Sequence, residues 1–222
     1  MKSKVLVIAP HADDEVLGVG GTLLKLKEIG SSINWLLVTS PNKNLNWNID
    51  QLNKRKDEIN EISKRIGFDN VYKLKLPSSS LDTIPFGQVV KDINEVIKDL
   101  KPNEIFIPHN ADVHTDHGIV HKASISSSKS FRHPYIKRIL VYETLSETEF
   151  GLDRSNPFHP NLFVDISNYL DKKIELMKIY SSEISDFPFP RSIDSIISLA
   201  KFRGSTAAYK AAEAFQILKS KE

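Results

Sequence analysis

The sequence predicts an α/β fold: a single Rossmann-like domain of three layers, α/β/α, built around a mostly parallel sheet. Three observations predict it. Short β-branched runs alternate with longer amphipathic segments over residues 5–142, the pattern of right-handed βαβ units. Several of the short runs are apolar at nearly every position, as strands buried on both faces of a parallel sheet are. The chain has 222 residues, 40% of them hydrophobic and 26% charged, enough for one large domain with its own core. No internal repeat, low-complexity tract or linker divides it. Residues 1–222 therefore read as one domain, with a core over 1–145 and a pocket-shaping tail over 146–222.

Residues 5–9 form the first strand. Residues 16–29 follow with helical spacing: Val16, Leu23, Leu24, Leu26 and Ile29 are apolar, and Gly30 can end the helix. Gly18, Gly20 and Gly21 are poor helix formers, so close packing against a neighbour is expected there. Residues 33–39 are the second strand. Asn48 or Asp50 caps a helix running to residue 66, with Gly67 at its end. Residues 70–76 are the third strand. The segment 87–100 gathers Val89, Val90, Ile93, Val96, Ile97 and Leu100 on one side, with Pro102 just beyond. Residues 104–108 are the fourth strand, 116–130 a helix and 137–142 the fifth strand. Beyond them the alternation loosens. Residues 144–160 read as loop, 162–166 as a strand, 168–180 as a helix and 187–190 as a rigid Phe-Pro-Phe-Pro connector. A last helix covers 192–202 and ends at Gly204. Residues 212–218 suit a strand or a helix equally well.

Composition excludes several classes. Net charge is +2, and the basic residues are interleaved with acids, as in Lys54-Arg55-Lys56-Asp57-Glu58; that offers no footprint for nucleic acid. There is no cysteine, which removes disulfides, thiolate metal sites and thiol nucleophiles. Five apolar residues between Lys4 and Pro10 are too few for a signal-peptide core. No stretch approaches the ~18–20 apolar residues of a membrane span. A cytoplasmic protein with no integral membrane segment is expected.

Ligands of a parallel sheet bind beyond the carboxyl ends of its strands. The first strand runs into Pro10-His11-Ala12-Asp13-Asp14-Glu15. The fourth runs into Pro108-His109-Asn110-Ala111-Asp112-Val113-His114-Thr115-Asp116-His117. Four of the seven histidines lie in these two segments, and His121 lies just after. Imidazole and carboxylate suit Zn²⁺, whose catalytic sites take three protein ligands and keep a position for water. His11 and Asp14 can converge on one ion, and one histidine of the second segment completes the set. Such a centre lowers the pKa of water from ~15.7 towards ~7. Asp13 is left over as a general base. A second histidine is left over to polarise a carbonyl and protonate a leaving amine, which together suffice for amide hydrolysis. Each feature alone has a plainer reading. Asp-Asp before a helix is often an N-cap, and His-x-x-His can be a surface pair. The Gly18–Gly21 run lacks the spacing and lysine of a phosphate loop. The joint arrival at two strand ends favours chemistry, without saying which of His114 and His117 is the ligand. Two alternatives are a metal-holding carbohydrate-binding module without catalysis and another metal-dependent amidohydrolase. Retention of Asp13, and of a second histidine where one completes the metal site, speaks against the first, since holding metal needs neither.

On these motifs the sequence resembles the PIG-L/LmbE-like family of zinc-dependent N-acetylglucosaminyl deacetylases. The family's Pro-His-Pro-Asp-Asp signature is present at residues 10–14 with Ala12 in place of the second proline. Its His-x-Asp-His signature is present as His114-Thr115-Asp116-His117, and its Arg-x-x-Glu pair as Arg55 and Glu58. Tyr142-Glu143-Thr144, Arg203-Gly204 and Ala212-Glu213-Ala214-Phe215 extend the likeness over nearly the whole chain. The resemblance implies one Zn²⁺ per chain on His11, Asp14 and His117, with Asp13 as base to the zinc-bound water. It implies His114 as oxyanion stabiliser and acid, Asp116 as the residue that orients His114, and Arg55 as a contact to a substrate hydroxyl or phosphate. The implied substrate is an N-acetylated sugar or glycoconjugate, and the implied assembly is a trimer or hexamer. Among the remaining polar residues, Asp112 either orients a histidine or makes a turn. Glu15 either pairs with Arg55 or complements the helix start. His109, His121, His133 and His159 read as structural. Arg203 and Glu213 either approach the pocket or form salt bridges.

Overall fold

The structure, a computed structural model, describes residues 2–41, 47–153 and 155–222. Its strands are β1 Lys4–Ala9, β2 Ser32–Ser40, β3 Asn70–Pro77, β4 Glu104–Pro108, β5 Arg138–Tyr142, β6 Leu162–Asp165 and β7 Ala212–Ser220. Its helices are α1 Asp14–Glu28, α2 Ile49–Ile66, α3 Phe86–Leu100, α4 Thr115–Ser127, α5 Leu170–Ile179 and α6 Ile193–Thr206. One sheet carries all these strands in the order β3-β2-β1-β4-β5-β7-β6. Strands β1 to β5 pair in parallel, and β7 runs antiparallel between β5 and β6. The three-layer α/β/α expectation is met. Val5, Val7 and Ala9 of β1 face the layer of α1, α2, α5 and α6, while Leu6 and Ile8 face the layer of α3 and α4. All five are fully buried, which is why β1 is apolar at each of these positions rather than alternating. No helix among the described residues is long and apolar enough to cross a membrane.

The helix ends follow local chemistry. Asn48 caps α2 through a reciprocal box with Gln51, in which each side chain accepts the other's backbone N–H at 2.9 Å. Gly67 closes α2 in the left-handed region, φ 78°. Helix α4 stops three residues before the expected 130, where Ser127 Oγ and Ser128 Oγ donate back to the carbonyls of Ala123 and Ser124. Helix α6 runs past Gly204 to Thr206. Gly204 does not end it. An added Cβ there would lie 2.8 Å from the Ala211 Cα, so the glycine permits close approach of the chain leading into β7. The undecided segment 212–218 is β7, an interior strand. Arg154, in the expected 144–160 loop, lies outside the described residues.

The glycines of α1 are explained by packing. A Cβ on Gly18 would lie 2.3 Å from the Tyr142 ring, and one on Gly21 would lie 2.8 Å from Ile166 Cγ2. The same bare stretch admits a buried ion pair. Glu213 of β7 accepts the N–H groups of Gly21 at 2.9 Å and Thr22 at 2.7 Å. Lys173 of α5 donates to Glu213 at 2.6 Å and to the Leu17 carbonyl at 2.7 Å. Glu213 is thus a structural brace rather than a pocket residue, and Arg203 forms a paired salt bridge with Glu143.

Two glycine substitutions test this account in opposite directions. Gly18→Ala should lower the free energy of unfolding by roughly 1–3 kcal/mol through overpacking. Gly87→Ala, in the first turn of α3 with nothing within 4 Å of the added Cβ, should raise it by about 0.5–1 kcal/mol. Urea midpoints read both; a neutral Gly18→Ala would remove the packing explanation.

Candidate active site

Strand order reverses between β1 and β4, which pair in parallel. That switch point opens a crevice at the carboxyl edge. The segment 10–15 leaves β1 on one side of it and the segment 109–117 leaves β4 on the other. The two acid- and histidine-rich stretches therefore meet because of topology.

Ligand-type atoms of His11, Asp14 and His117 lie within 4.8 Å of one another. Each imidazole has one nitrogen held by a second carboxylate. His11 Nε2 lies 3.0 Å from Asp116 Oδ2, and His117 Nδ1 lies 2.8 Å from Asp112 Oδ2. The other nitrogens, His11 Nδ1 and His117 Nε2, lie 3.6 Å and 3.4 Å from Asp14 Oδ2. This is the arrangement in which a metal-binding imidazole donates its second N–H to a carboxylate. A second trio, His11, His114 and Asp116, is equally close. It is less suited to an ion, because both Asp116 oxygens already accept backbone N–H groups, from Ser79 at 2.8 Å and Leu81 at 3.1 Å, whereas Asp14 accepts one, from His11 at 2.8 Å on Oδ2.

The electrostatics match. Burial would lower the His11 imidazole, but hydrogen bonding to Asp116 and Asp14 overrides it and holds the ring up at about 9. His117 is raised well above its usual range against burial, chiefly by Asp14 and Asp112. Asp14 is held below the usual carboxylate range against burial, by His117 and His11. Three carboxylates thus draw positive charge onto two imidazoles, and a divalent cation answers the same field. The donor set and its supporting carboxylates fit zinc.

Asp13 and His114 line the cleft beside this cluster. Asp13 has φ 154° and ψ −29°, outside the usual regions for a residue with a Cβ. Burial and then the neighbouring Asp14 push its carboxyl up to about 7. His114 caps α4, and its Nδ1 accepts the Asp116 backbone N–H at 3.2 Å. Burial and then His11 pull its imidazole down to about 4. An Nδ1 that accepts leaves the proton of the neutral ring on Nε2, which faces Ser79 Oγ at 3.4 Å.

Some expected contacts are placed differently. The Asp116 carboxylate faces His11 and the loop over Ser79 to Leu81; only its backbone N–H touches His114. Arg55 lines the cleft, but it makes four hydrogen bonds to protein, on Glu58, the Ala12 carbonyl, Ser182 and Glu183. With four of its five N–H groups so committed, it braces the turn before Asp13 and has no fork left to present to a ligand. Glu15 does not pair with Arg55; it complements the helix start, accepting the N–H of the N-cap Asp13 at 3.1 Å from the first turn of α1, and it also accepts from the Tyr180 hydroxyl at 2.7 Å. Asp112 orients His117, and Thr148 Oγ1 holds its other oxygen at 2.7 Å. His109, His121 and His133 hold the Asn156 carbonyl, the Pro108 carbonyl and the Asn94–Tyr135 pair, all away from the cluster. Trp47, Glu147, Glu183 and Arg191 also line the cleft without any signal in the sequence to mark them. They come from segments without periodicity or motif.

A family model described as PIG-L, GlcNAc-PI de-N-acetylase, matches residues 6–127. The diacetylchitobiose deacetylase of Thermococcus kodakarensis is 23% identical over 97% of this chain and 83% of its own length. The solved structure of N,N'-diacetylchitobiose deacetylase from Pyrococcus horikoshii superposes with a TM-score of 0.78 at 23% identity, over 98% of this chain and 84% of that one. The 4-carboxy-2-hydroxymuconate hydratase of Pseudomonas putida KT2440 shares the fold as well, with a TM-score of 0.74 at 14% identity over 100% of this chain and 98% of that one. The architecture alone therefore does not choose a reaction.

The carboxylate behind His117 offers a direct test of the metal fit. Asp112→Ala should weaken zinc retention by roughly 10–100-fold, measured by competition with a chelator. Unchanged affinity would mean that the Asp112–His117 pair serves packing alone.

Proposed function

The chain belongs to the PIG-L family, and from that premise we propose that it is a hydrolase removing the acetyl group from an N-acetylated sugar or sugar conjugate, with release of acetate and an amine. The observation that carries the reading is the division of labour at the carboxyl edge. Three ligand-type side chains converge, two of them imidazoles backed by carboxylates, and His11 and Asp14 among them line the same cleft as Asp13 and a further imidazole, His114. His11, Asp14 and His117 would hold one zinc ion. When bound, zinc supplies Lewis acidity that acidifies water and polarises an acyl oxygen.

The chain's own residues do the rest. Asp13, buried in the cleft wall and outside the converging ligand trio, takes the proton of the attacking water at its carboxylate. His114 holds its proton on Nε2 because Nδ1 accepts from Asp116. It therefore donates a hydrogen bond to the oxygen on which negative charge develops. A ring fixed in this tautomer stabilises charge more readily than it delivers a proton. The proton collected by Asp13 is then the one available to the departing amine. Arg55 and Glu15 hold the turn that aims Asp13.

Acetate release from a panel of N-acetylated sugars, measured with metal content, tests the reading. Asp13→Asn should cut turnover by roughly 10²–10⁴-fold without loss of zinc. His114→Gln, which keeps an N–H donor, should retain more activity than His114→Ala, and neither should lose zinc. A zinc-loaded wild-type protein that releases no acetate from any member of the panel would overturn the proposal.

A further inference from the structure

One acid of the cleft has no task in this scheme. Glu147 lines the same cleft as Asp13, Asp14 and His114. Its carboxylate takes one long hydrogen bond, from Ser146 Oγ at 3.4 Å. Among the described residues it forms no ion pair, whereas Glu183 is paired with Arg55 and Arg191, and Glu143 with Arg203. The backbone that carries it is fixed. Its N–H donates to the Thr144 carbonyl at 3.1 Å, and its own carbonyl accepts from Val113 N–H at 3.1 Å. Thr148 Oγ1 accepts from the Thr144 N–H at 2.8 Å and donates to Asp112 at 2.7 Å. The turn is thereby tied to the residue that orients His117. Glu147 is a half-buried acceptor on a rigid support, with most of its lone pairs unused.

We infer that Glu147 is a specificity-determining residue that accepts a hydrogen bond from a sugar hydroxyl of the substrate. The inference rests on the deacetylase reading and adds to it how the sugar is gripped. A carboxylate facing a cleft is costly to desolvate unless a donor replaces its water. Sugar hydroxyls are such donors. The neighbouring lining fits a polyhydroxylated ligand: Thr39, Ser78, Ser79 and Thr144 line the cleft too. The Thr144 hydroxyl is buried and has no partner among the described residues. A metal-binding role is disfavoured by position, because Glu147 is in neither of the trios whose ligand atoms converge.

Calorimetric binding of N-acetylglucosamine and its 3-, 4- and 6-deoxy analogues to the zinc-loaded protein tests this. The wild type should bind one deoxy analogue roughly 10–100-fold more weakly than the parent sugar, the loss expected for a hydrogen bond to a charged acceptor. Glu147→Ala should reduce that ratio to within about twofold, with unchanged zinc content and melting temperature. Glu147→Gln, which keeps one carbonyl acceptor, should fall between. An unchanged ratio in Glu147→Ala, a loss of zinc in that variant, or no saturable binding of any of the sugars overturns the inference. Acetate release measured in parallel separates the two levels. Hydroxyl-dependent binding without acetate release sinks the reaction and leaves the role of Glu147 standing. Acetate release without hydroxyl dependence at Glu147 does the reverse.

Discussion

The carboxyl edge depends on one backbone position held where it would not settle unaided. Asp13 adopts φ 154° and ψ −29°, a conformation that costs of order 1–3 kcal/mol for a residue with a Cβ. Its surroundings over-determine it. Arg55 holds the carbonyl before it at 2.9 Å, Glu15 accepts its N–H at 3.1 Å, and its own carbonyl accepts from Val16 and Leu17 to start α1. The strained turn sends two adjacent carboxylates to different work. Asp14 folds back over the His11 N–H and towards both imidazoles, and Asp13 is left in the cleft wall. A relaxed backbone at residue 13 would point both acids differently and lose that separation.

The supports of this turn come from distant parts of the chain. Arg55 lies on α2, and its guanidinium is clasped by Glu183 beyond α5. Glu15 is held by Tyr180 at the end of α5. Asp112 is held by Thr148. The segment after residue 145 is thus more than a rim around the pocket. It supplies two of the seven strands, packs two helices on the α1 layer and sets the orientation of groups at the reacting centre. Arg55 illustrates the difference between lining a cleft and facing a ligand. It borders the cavity, yet its N–H groups are engaged with protein.

The framework was legible in the sequence because parallel strands buried on both faces leave an unmistakable apolar record, and β1, β2, β4 and β5 do so, whereas β3 lies at the sheet edge with no buried residue. The metal-type cluster was legible because its members fall in two short segments at strand ends. Directions of side chains were not. The family resemblance implies Asp116 as the residue that orients His114, but α4 begins there, and the carboxylate lies against His11 instead, with only the backbone N–H bonded to His114. Glu213 reads as polar and ambiguous because its partners, Lys173 and the N–H groups of Gly21 and Thr22, lie far away in sequence. Gly204 reads as a helix stop, and tertiary contact with Ala211 makes it a helical residue. In each case a long-range contact decided what local pattern left open.

The placement of β7 ties the elements beyond residue 160 to one another. Residues 212–220 enter the sheet between β5 and β6, so β6 has no hydrogen-bonding neighbour until they arrive. Glu213 rides on that same strand. Before it docks, Lys173 would be a cation in an apolar layer with no counter-charge, a state that burial strongly penalises. The seating of α5 and that of β7 are therefore linked through one buried ion pair, and Tyr180, which holds Glu15, stands at the end of that helix. One strand thus pairs β6 into the sheet and neutralises the cation that α5 carries into the α1 layer.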